Sequence, residues 1–451
     1  METYGILSLL PVAVVIVLVL ITKRTAFSLV AGTVVGAFLL YGISFPKPWI
    51  DVVYGVIGSD LWIWLLLVCG FFGSLVALFE ASGGIFGFTA IAAKLCRGEK
   101  QTLVVTWLLG IIVFIDDWLS ILAAGNAMRK TADRFRISRE MLAFVSNSVA
   151  SSICVIVPIS TWGVFMTSQL VVTNICAEDA GMSTFLKTIP YMFYPLLMLL
   201  CALFFSLNIL PKFGPMRYAD EAAKAMEPPA APKNQSETES QSAPAKKKQR
   251  AFNFLLPILL ITVITIATRE ILYGVLACLV FCALLYLPQK LMTAGKYLDT
   301  VLAGFKDMVN VLFIVTSAFM LRDINSLLGM PEYVIGAVKG GIPPELLPAA
   351  AFLIVSLLGF AAGNFWGICA ISFPVIIPIA QALDCNPLLT AGAIISATTA
   401  SSNACFYGSE ATLACSATRI ENIRYAQTAI PLVMVPFLLS VIAYLIAGFL
   451  L

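Results

Sequence analysis

Asp116 and Asp117 stand side by side inside an otherwise apolar run, residues 102–128. An ionised carboxylate in hydrocarbon is costly, so acids in membrane segments usually face a water-filled path or a partner inside a bundle. Two adjacent carboxylates also repel, which suits the pair to exchanging a proton near neutrality. The alternative is a solvated pair on a tip that reaches water, but residues 111–115 and 118–124 flank it with apolar side chains. Asn126 adds an amide to the same run. Glu410 is the second candidate acid, its alternative being a place at the membrane interface. Glu80, Arg322 and Asp323 end apolar runs, where snorkelling accounts for them.

Two segments are loaded with small hydroxyl and amide residues. The first carries Ser146, Asn147, Ser148, Ser151 and Ser152, then Pro158, Ser160, Thr161 and Trp162. The second carries Ser396, Thr398, Thr399, Ser401, Ser402 and Asn403, then Gly408, Ser409 and Glu410. Pro158 interrupts the helical hydrogen-bond ladder and Gly408 favours a break, which frees backbone carbonyls beside neutral side-chain oxygens. Such oxygens suit Na⁺, and exposed half-helix N-termini suit an anionic group. Close helix packing also selects small residues, and Ser and Thr hydroxyls bond back to their own helix. Packing alone, however, does not require each cluster to follow a broken apolar run and end in a helix breaker. A further break, Gly363-Asn364-Phe365-Trp366-Gly367, interrupts residues 346–382. Trp162 and Trp366 are candidates for pocket walls or for interface anchors.

The elements that position these residues must be membrane helices. Of 451 residues 60% are hydrophobic and 12% charged, and the mean hydropathy is +0.95, so the chain holds many stretches of the ~20 apolar residues that span a bilayer. The first run, residues 6–21, precedes Lys23 and Arg24 without a cleavage site and reads as a retained helix. Eleven scattered cysteines show no paired spacing, and there is no histidine, so no transition-metal site is expected. Proton coupling then falls to carboxylates or lysine. The net charge of +3 says little about partners. With no phosphate loop, metal cluster or nucleophile–base pair visible, a carrier is favoured over an ATP-driven pump or an enzyme, and no cofactor is expected beyond a coupling ion, Na⁺ and/or H⁺.

Residues 211–252 are rich in Pro, Ala, Ser and charge and read as a disordered linker between membrane halves 1–210 and 253–451. Lys246, Lys247, Lys248 and Arg250 place that linker in the cytoplasm. Lys94, Arg97 and Lys100 should face the same side as the basic cluster of residues 129–139. Only one apolar run separates them, so residues 102–128 must enter and return as a re-entrant hairpin. In the second half Lys339 is the one basic residue of 332–386, and residues 346–382 form a second hairpin entering from outside. Broken helices follow at 141–176 and 388–418. The expected fold is an all-α, inverted-repeat secondary transporter with about ten crossings, two hairpins and two broken helices. A weak echo supports the repeat, with FIDDWL (114–119) in place of FAAGNF (360–365) and Ser151-Ser152 in place of Ser401-Ser402.

The block DDWLSILAAGNAMRKTADRFRISREMLAFVSNSVASSICVIVPISTWGVF, residues 116–165, resembles the signature of the NhaC-type Na⁺/H⁺ antiporter family within the wider ion transporter superfamily. GNFWGICAISFPVIIPIA, residues 363–380, resembles its second-half block. The resemblance implies two hairpins and two broken helices, often in a homodimer, moving Na⁺ against H⁺ or exchanging small organic acids or amino acids. It implies Na⁺ at the helix breaks. The expected partners are the lipid bilayer and a small ion or small molecule, not nucleic acid, and the expected place is the bacterial cytoplasmic membrane, multi-pass. The family pattern has an acid where this chain has Asn147, and Gly-Asp-His-Cys-Ser-Pro-Ile-Ser-Asp where this chain has Ser402-Asn403-Ala404-Cys405-Phe406-Tyr407-Gly408-Ser409-Glu410. Fewer titratable groups weaken simple Na⁺/H⁺ exchange and leave room for an organic substrate.

Overall fold

The computed structural model describes residues 4–22, 24–84, 87, 95–225, 251–268, 270–330, 333, 343–363 and 365–451. Lys94, Lys339, Asn364 and the linker residues 226–250 lie outside the described residues. Every regular element described is helical. The first half contains α1 (Leu10–Thr22), α2 (Thr25–Tyr41), α3 (Pro46–Ile57), α4 (Asp60–Ser82), α5 (Glu99–Ile112), α6 (Asp117–Arg134), α7 (Arg139–Ile156), α8 (Thr161–Val172), α9 (Gly181–Thr188), α10 (Phe193–Ser206) and α11 (Gly214–Ala225). The second contains α12 (Phe252–Thr268), α13 (Ile271–Tyr286), α14 (Ala294–Asp307), α15 (Val309–Leu327), α16 (Leu347–Ala362), α17 (Phe365–Ala382), α18 (Pro387–Ala404), α19 (Ser409–Thr418) and α20 (Asn422–Leu450).

Among the described residues six helices or helix runs are long and apolar enough to cross a bilayer, and two bent pairs raise this to eight. One bent pair is the expected break between α7 and α8, at 43°. The other, 57° between residues 178–191 and α10, falls at Met192 and has no counterpart in the sequence reading.

The helices sort into two bundles, each drawing on both halves of the chain. In the first, α4 packs on α14, α12 on α13, and α2 on α1 and α15. Gly73 and Gly304 make the α4–α14 approach possible, because a Cβ on either would collide with the other's carbonyl oxygen. Ser74 Oγ completes it by donating to Val301 O at 2.7 Å. In the second bundle α7 and α18 sit centrally. α7 contacts α5, α6, α10 and α19, and α18 contacts α16, α17, α10 and α20. The bundles meet where α8 lies on α4 and α17 on α15, and Arg322 Nη1 on α15 donates to Val172 O at the end of α8, 3.1 Å away.

Part of the stretch expected to be disordered is ordered. Residues 214–225 form α11, an amphipathic helix that buries Met216 and packs on α7 and α20. Composition hid it, because its anchors are ionic. Lys212 Nζ pairs with Glu99 Oε1 at 2.8 Å and with Asp220, Lys224 Nζ lies 3.2 Å from Glu99 Oε2, and Ser138 Oγ, the N-cap of α7, donates to Asp220 Oδ1 at 2.6 Å. The linker side of α11 thereby fastens the starts of α5 and α7 to each other.

Burial alone would raise the Glu99 carboxyl, but Lys212 and Lys224 outweigh it and hold the group below its ordinary 4.5. A depressed carboxyl stabilises the fold above its ordinary value and loses that contribution as pH falls through the depressed one. Lys212→Met should leave two carboxylates facing each other without their shared cation. We expect a loss of about 3 kcal/mol at neutral pH, and a smaller further loss below pH 4.5 than the parent shows, read from thermal unfolding in detergent between pH 7 and 3. An unchanged melting temperature at pH 7 would show that the cluster carries no stability.

Candidate functional site

α5 and α6 are separated by four residues, 113–116, and α7 and α8 by residues 157–160, which include Pro158. The two breaks dock on each other. Thr161 N donates to Ile115 O at 3.0 Å, Thr161 Oγ1 to Asp116 Oδ2 at 3.3 Å, and Cys154 Sγ approaches Ile115 O at 3.9 Å. The second half repeats the arrangement. Gly363, at a φ of 64° that suits glycine, ends α16, and Cys405 Sγ and Tyr407 Oη, from the break between α18 and α19, donate to Phe360 O. Backbone groups freed by the breaks are thus paired inside protein, as a segment within a membrane requires.

Each expected acid sits at a helix start, where the helix dipole favours negative charge. Asp116 is the N-cap of α6 and accepts from Leu119 N at 3.0 Å. Asp117, the first residue of α6, is 3% exposed and accepts from Trp162 Nε1 at 3.1 Å and Trp118 N at 3.1 Å. Glu410, on the first turn of α19, is 1% exposed and accepts from Ser409 Oγ at 2.8 Å. The charged groups that act on Asp117 are Asp116 and Glu410, and Asp116 and Asp307 act on Glu80. Among the described residues none of Asp116, Asp117 and Glu410 forms an ion pair. Among the described residues the site is therefore a cluster of carboxyl groups without a basic partner.

A cleft of ≈ 10 Å³, room for about one water-sized group, opens beside Asp117 and is lined by Ser151, Val155, Trp162, Thr398, Thr399 and Ser402. Five of these seven residues were candidates from sequence. Val155 was not singled out, since an aliphatic side chain carries no signal of its own, and Thr398 was read only as one of the hydroxyls of its segment. Trp162 lines the cleft, and Trp366, which does not, stacks behind it at 4.2 Å and 27°, with Phe165 4.7 Å from Trp366.

Other candidates have different tasks. Ser160 caps α8 by accepting from Gly163 N at 2.8 Å. Ser401 Oγ donates to Ser356 O at 3.0 Å and Ala397 O at 2.7 Å, joining α18 to α16 rather than facing the cleft. Ser148 and Ser152 are buried hydroxyls without hydrogen-bond partners among the described residues. Asn126 is exposed, and lies ten residues beyond Asp116 on α6, about 15 Å along the helix. Gly408 is the extended N-cap of α19. Asn364 is outside the described residues.

Asn147 and Asn403 do not line the cleft. Asn147 Nδ2 donates to Tyr425 Oη at 2.7 Å, and Asn403 Nδ2 to Tyr194 Oη at 3.2 Å. Tyr425 Oη donates on to Asn403 O at 3.1 Å, and Ser151 Oγ reaches Asn403 Oδ1 at 2.8 Å. Each half thus lends an amide from its central helix to a tyrosine of the other half. Neither tyrosine was among the sequence candidates, because a lone Tyr in an apolar helix reads as core.

Residues 170–449 match the Na⁺/H⁺ antiporter family. An uncharacterized protein of Haemophilus influenzae is 24% identical over 98% of this chain and 91% of its own length. The crystal structure of the Alcanivorax borkumensis YdaH transporter, described as having an unusual topology, superposes with a TM-score of 0.62 at 13% identity, over 97% of this chain and 98% of that one. Neisseria gonorrhoeae MtrF, whose structure is described as illuminating a class of antimetabolite efflux pumps, gives 0.55 at 11% identity, over 88% and 82%. At such identities the likeness is one of fold.

Tyr425→Phe should leave the buried Asn147 amide without its acceptor and cost about 1–3 kcal/mol. Combined with Asn147→Leu, the loss should be less than the sum of the two single losses, by at least about 0.5 kcal/mol. Thermal unfolding of the four purified proteins measures the coupling, and additive losses would mean that the bridge does not join the halves.

Proposed function

The chain belongs to the Na⁺/H⁺ antiporter family, and on that premise we propose that it is a secondary active transporter that exchanges Na⁺ for protons by alternating access at the cleft beside Asp117. It is a multi-pass membrane transporter. The observation that carries the proposal is a buried carboxylate with no basic partner among the described residues, beside a cleft lined by hydroxyl oxygens. A charge so placed is tolerable only when a proton or a cation neutralises it. One carboxylate cannot hold both at once, and that exclusion is what makes an exchanger. Na⁺ would use Asp117 with the hydroxyls of Ser151, Thr399 and Ser402, and the proton would return on Asp117 itself, with Asp116 and Glu410 as its acidic neighbours.

The proposal includes an inverted repeat with hairpins at α5–α6 and α16–α17, about ten crossings, the linker in the cytoplasm and a homodimer in the bacterial cytoplasmic membrane. The reciprocal Asn–Tyr bonds and the matching thiol contacts at Ile115 and Phe360 support the repeat. A second reading, an ion-coupled exchanger of an amino acid or small organic acid, is favoured by the aromatic block of Trp162 and Trp366 at the cleft, which a bare ion does not need.

Asp117→Asn should remove gradient-driven transport in proteoliposomes, down to the level of protein-free vesicles, without changing the melting temperature by more than a few degrees. Na⁺-dependent proton movement at the parent rate would take Asp117 out of the mechanism. Orientation is tested separately. Single cysteines at positions 97, 134 and 247, in a background lacking native cysteines, should all label from the cytoplasm, and labelling of 97 from the opposite side would turn the first hairpin into a crossing.

A further inference from the structure

The hydroxyls that line the cleft have mostly spent their hydrogens on the protein. Ser151 Oγ donates to Asn147 O or Asn403 Oδ1, each at 2.8 Å, Thr398 Oγ1 to Ile395 O at 2.8 Å, and Thr399 Oγ1 to Ile395 O at 3.0 Å. The indole N–H of Trp162 is committed to Asp117. What these groups turn toward the cleft is lone pairs and a carboxylate. Ser402 Oγ, on a residue 3% exposed, is buried without a hydrogen-bond partner among the described residues, so it has lone pairs and one O–H to offer, the single uncommitted hydroxyl donor of the lining. A carboxylate ligand would set acceptors against acceptors beside Asp116, Asp117 and Glu410. A ligand rich in donors and positive charge fits the same wall. The rest of the lining is Val155 and the Trp162 ring, backed by Trp366, surfaces that suit carbon and the face of a cation.

We propose that the cleft accepts a primary ammonium group, so that a small organic amine is bound and carried in place of Na⁺. This rests on the cleft being the transport site. The three N–H bonds of the ammonium, a group the size of a water, point at Asp117, Ser402 and one of the remaining hydroxyl oxygens, while the carbon chain leaves through the mouth. The same surface, with one uncommitted hydroxyl against several acceptors, weighs against the small-organic-acid part of the second reading above.

The test is competition binding on the full chain purified in detergent, read by tryptophan fluorescence and thermal stabilisation, with choline chloride holding ionic strength constant. Ethylammonium chloride should raise the apparent Kd for Na⁺ in proportion to its concentration. Tetramethylammonium, which has no N–H donors, and choline malate should not. Ser402→Ala should weaken ethylammonium roughly tenfold, as expected for one hydrogen bond to a charged group. Thr399→Val, close in shape to the parent, provides the same reading if the first variant does not fold. Na⁺ binding without ethylammonium competition overturns the amine inference and leaves the antiporter reading standing. Ethylammonium binding without Na⁺ binding supports the amine and overturns Na⁺ as the partner ion. Competition by malate overturns the acceptor argument altogether.

Discussion

The 3.1 Å hydrogen bond from the Trp162 indole to Asp117 joins the first turn of α8 to the first residue of α6, and the geometry of the cleft follows from it. A carboxylate 3% exposed needs donors, and the helix start supplies backbone N–H groups while the indole supplies the side-chain one. That demand fixes where Trp162 stands, and hence where Trp366 of the other half stacks. It also keeps the break after α7 against the break after α5, where Thr161 satisfies both Ile115 O and Asp116. The donors suffice to hold the carboxylate in place but bring no positive charge. In the proposed exchange cycle, a mobile ion supplies the missing charge.

At their central junction the halves are joined by neutral groups. Asn147 and Asn403 each reach a tyrosine of the opposite half, and Tyr444 Oη donates to Tyr191 O at 2.7 Å nearby. An acid at position 147 or 403 would have added charge to a fully buried junction that lies beside the cleft without lining it. The amides do the joining without a counter-ion. The departures from the family pattern at these positions therefore read as structural, and the titratable chemistry concentrates on Asp116, Asp117 and Glu410.

The membrane class and the helix breaks near Pro158, Gly363 and Gly408 were legible because hydrophobic runs and helix breakers are local signals. So was the acid pair, since a charge inside an apolar run stands out. The chain could not disclose which hydroxyl turns inward. Ser401 and Ser402 are adjacent and chemically identical, yet one bonds Ser356 O and the other lines the cleft, a difference of about 100° around α18. Trp162 and Trp366 each had even claims as wall or anchor until their stacking placed both in one block. The order of α11 was hidden for a different reason. Lys212, Asp220 and Glu99 lie far apart in sequence, and a charged, alanine-rich stretch without them would remain unpacked.

All seven cleft-lining residues come from α6, α7, α8 and α18, which belong to one bundle. Within that bundle the polar ties are dense: break to break, amide to tyrosine, Arg129 to Ala417 O at 3.0 Å, and the ionic clasp at α11. Between the bundles the contact is chiefly apolar, α8 on α4 and α17 on α15, with Arg322 donating to Val172 O. Apolar faces can slide at constant burial, whereas pulling α7 from α18, or α6 from α8, would strip partners from buried polar groups such as Ser151, Asn403 and Asp117 at a cost of about 1–3 kcal/mol each. If exchange proceeds by alternating access, the lower-cost movement carries the second bundle past the first with its cleft intact. The bond from Arg322 to the end of α8 is then a contact that has to be remade in every cycle.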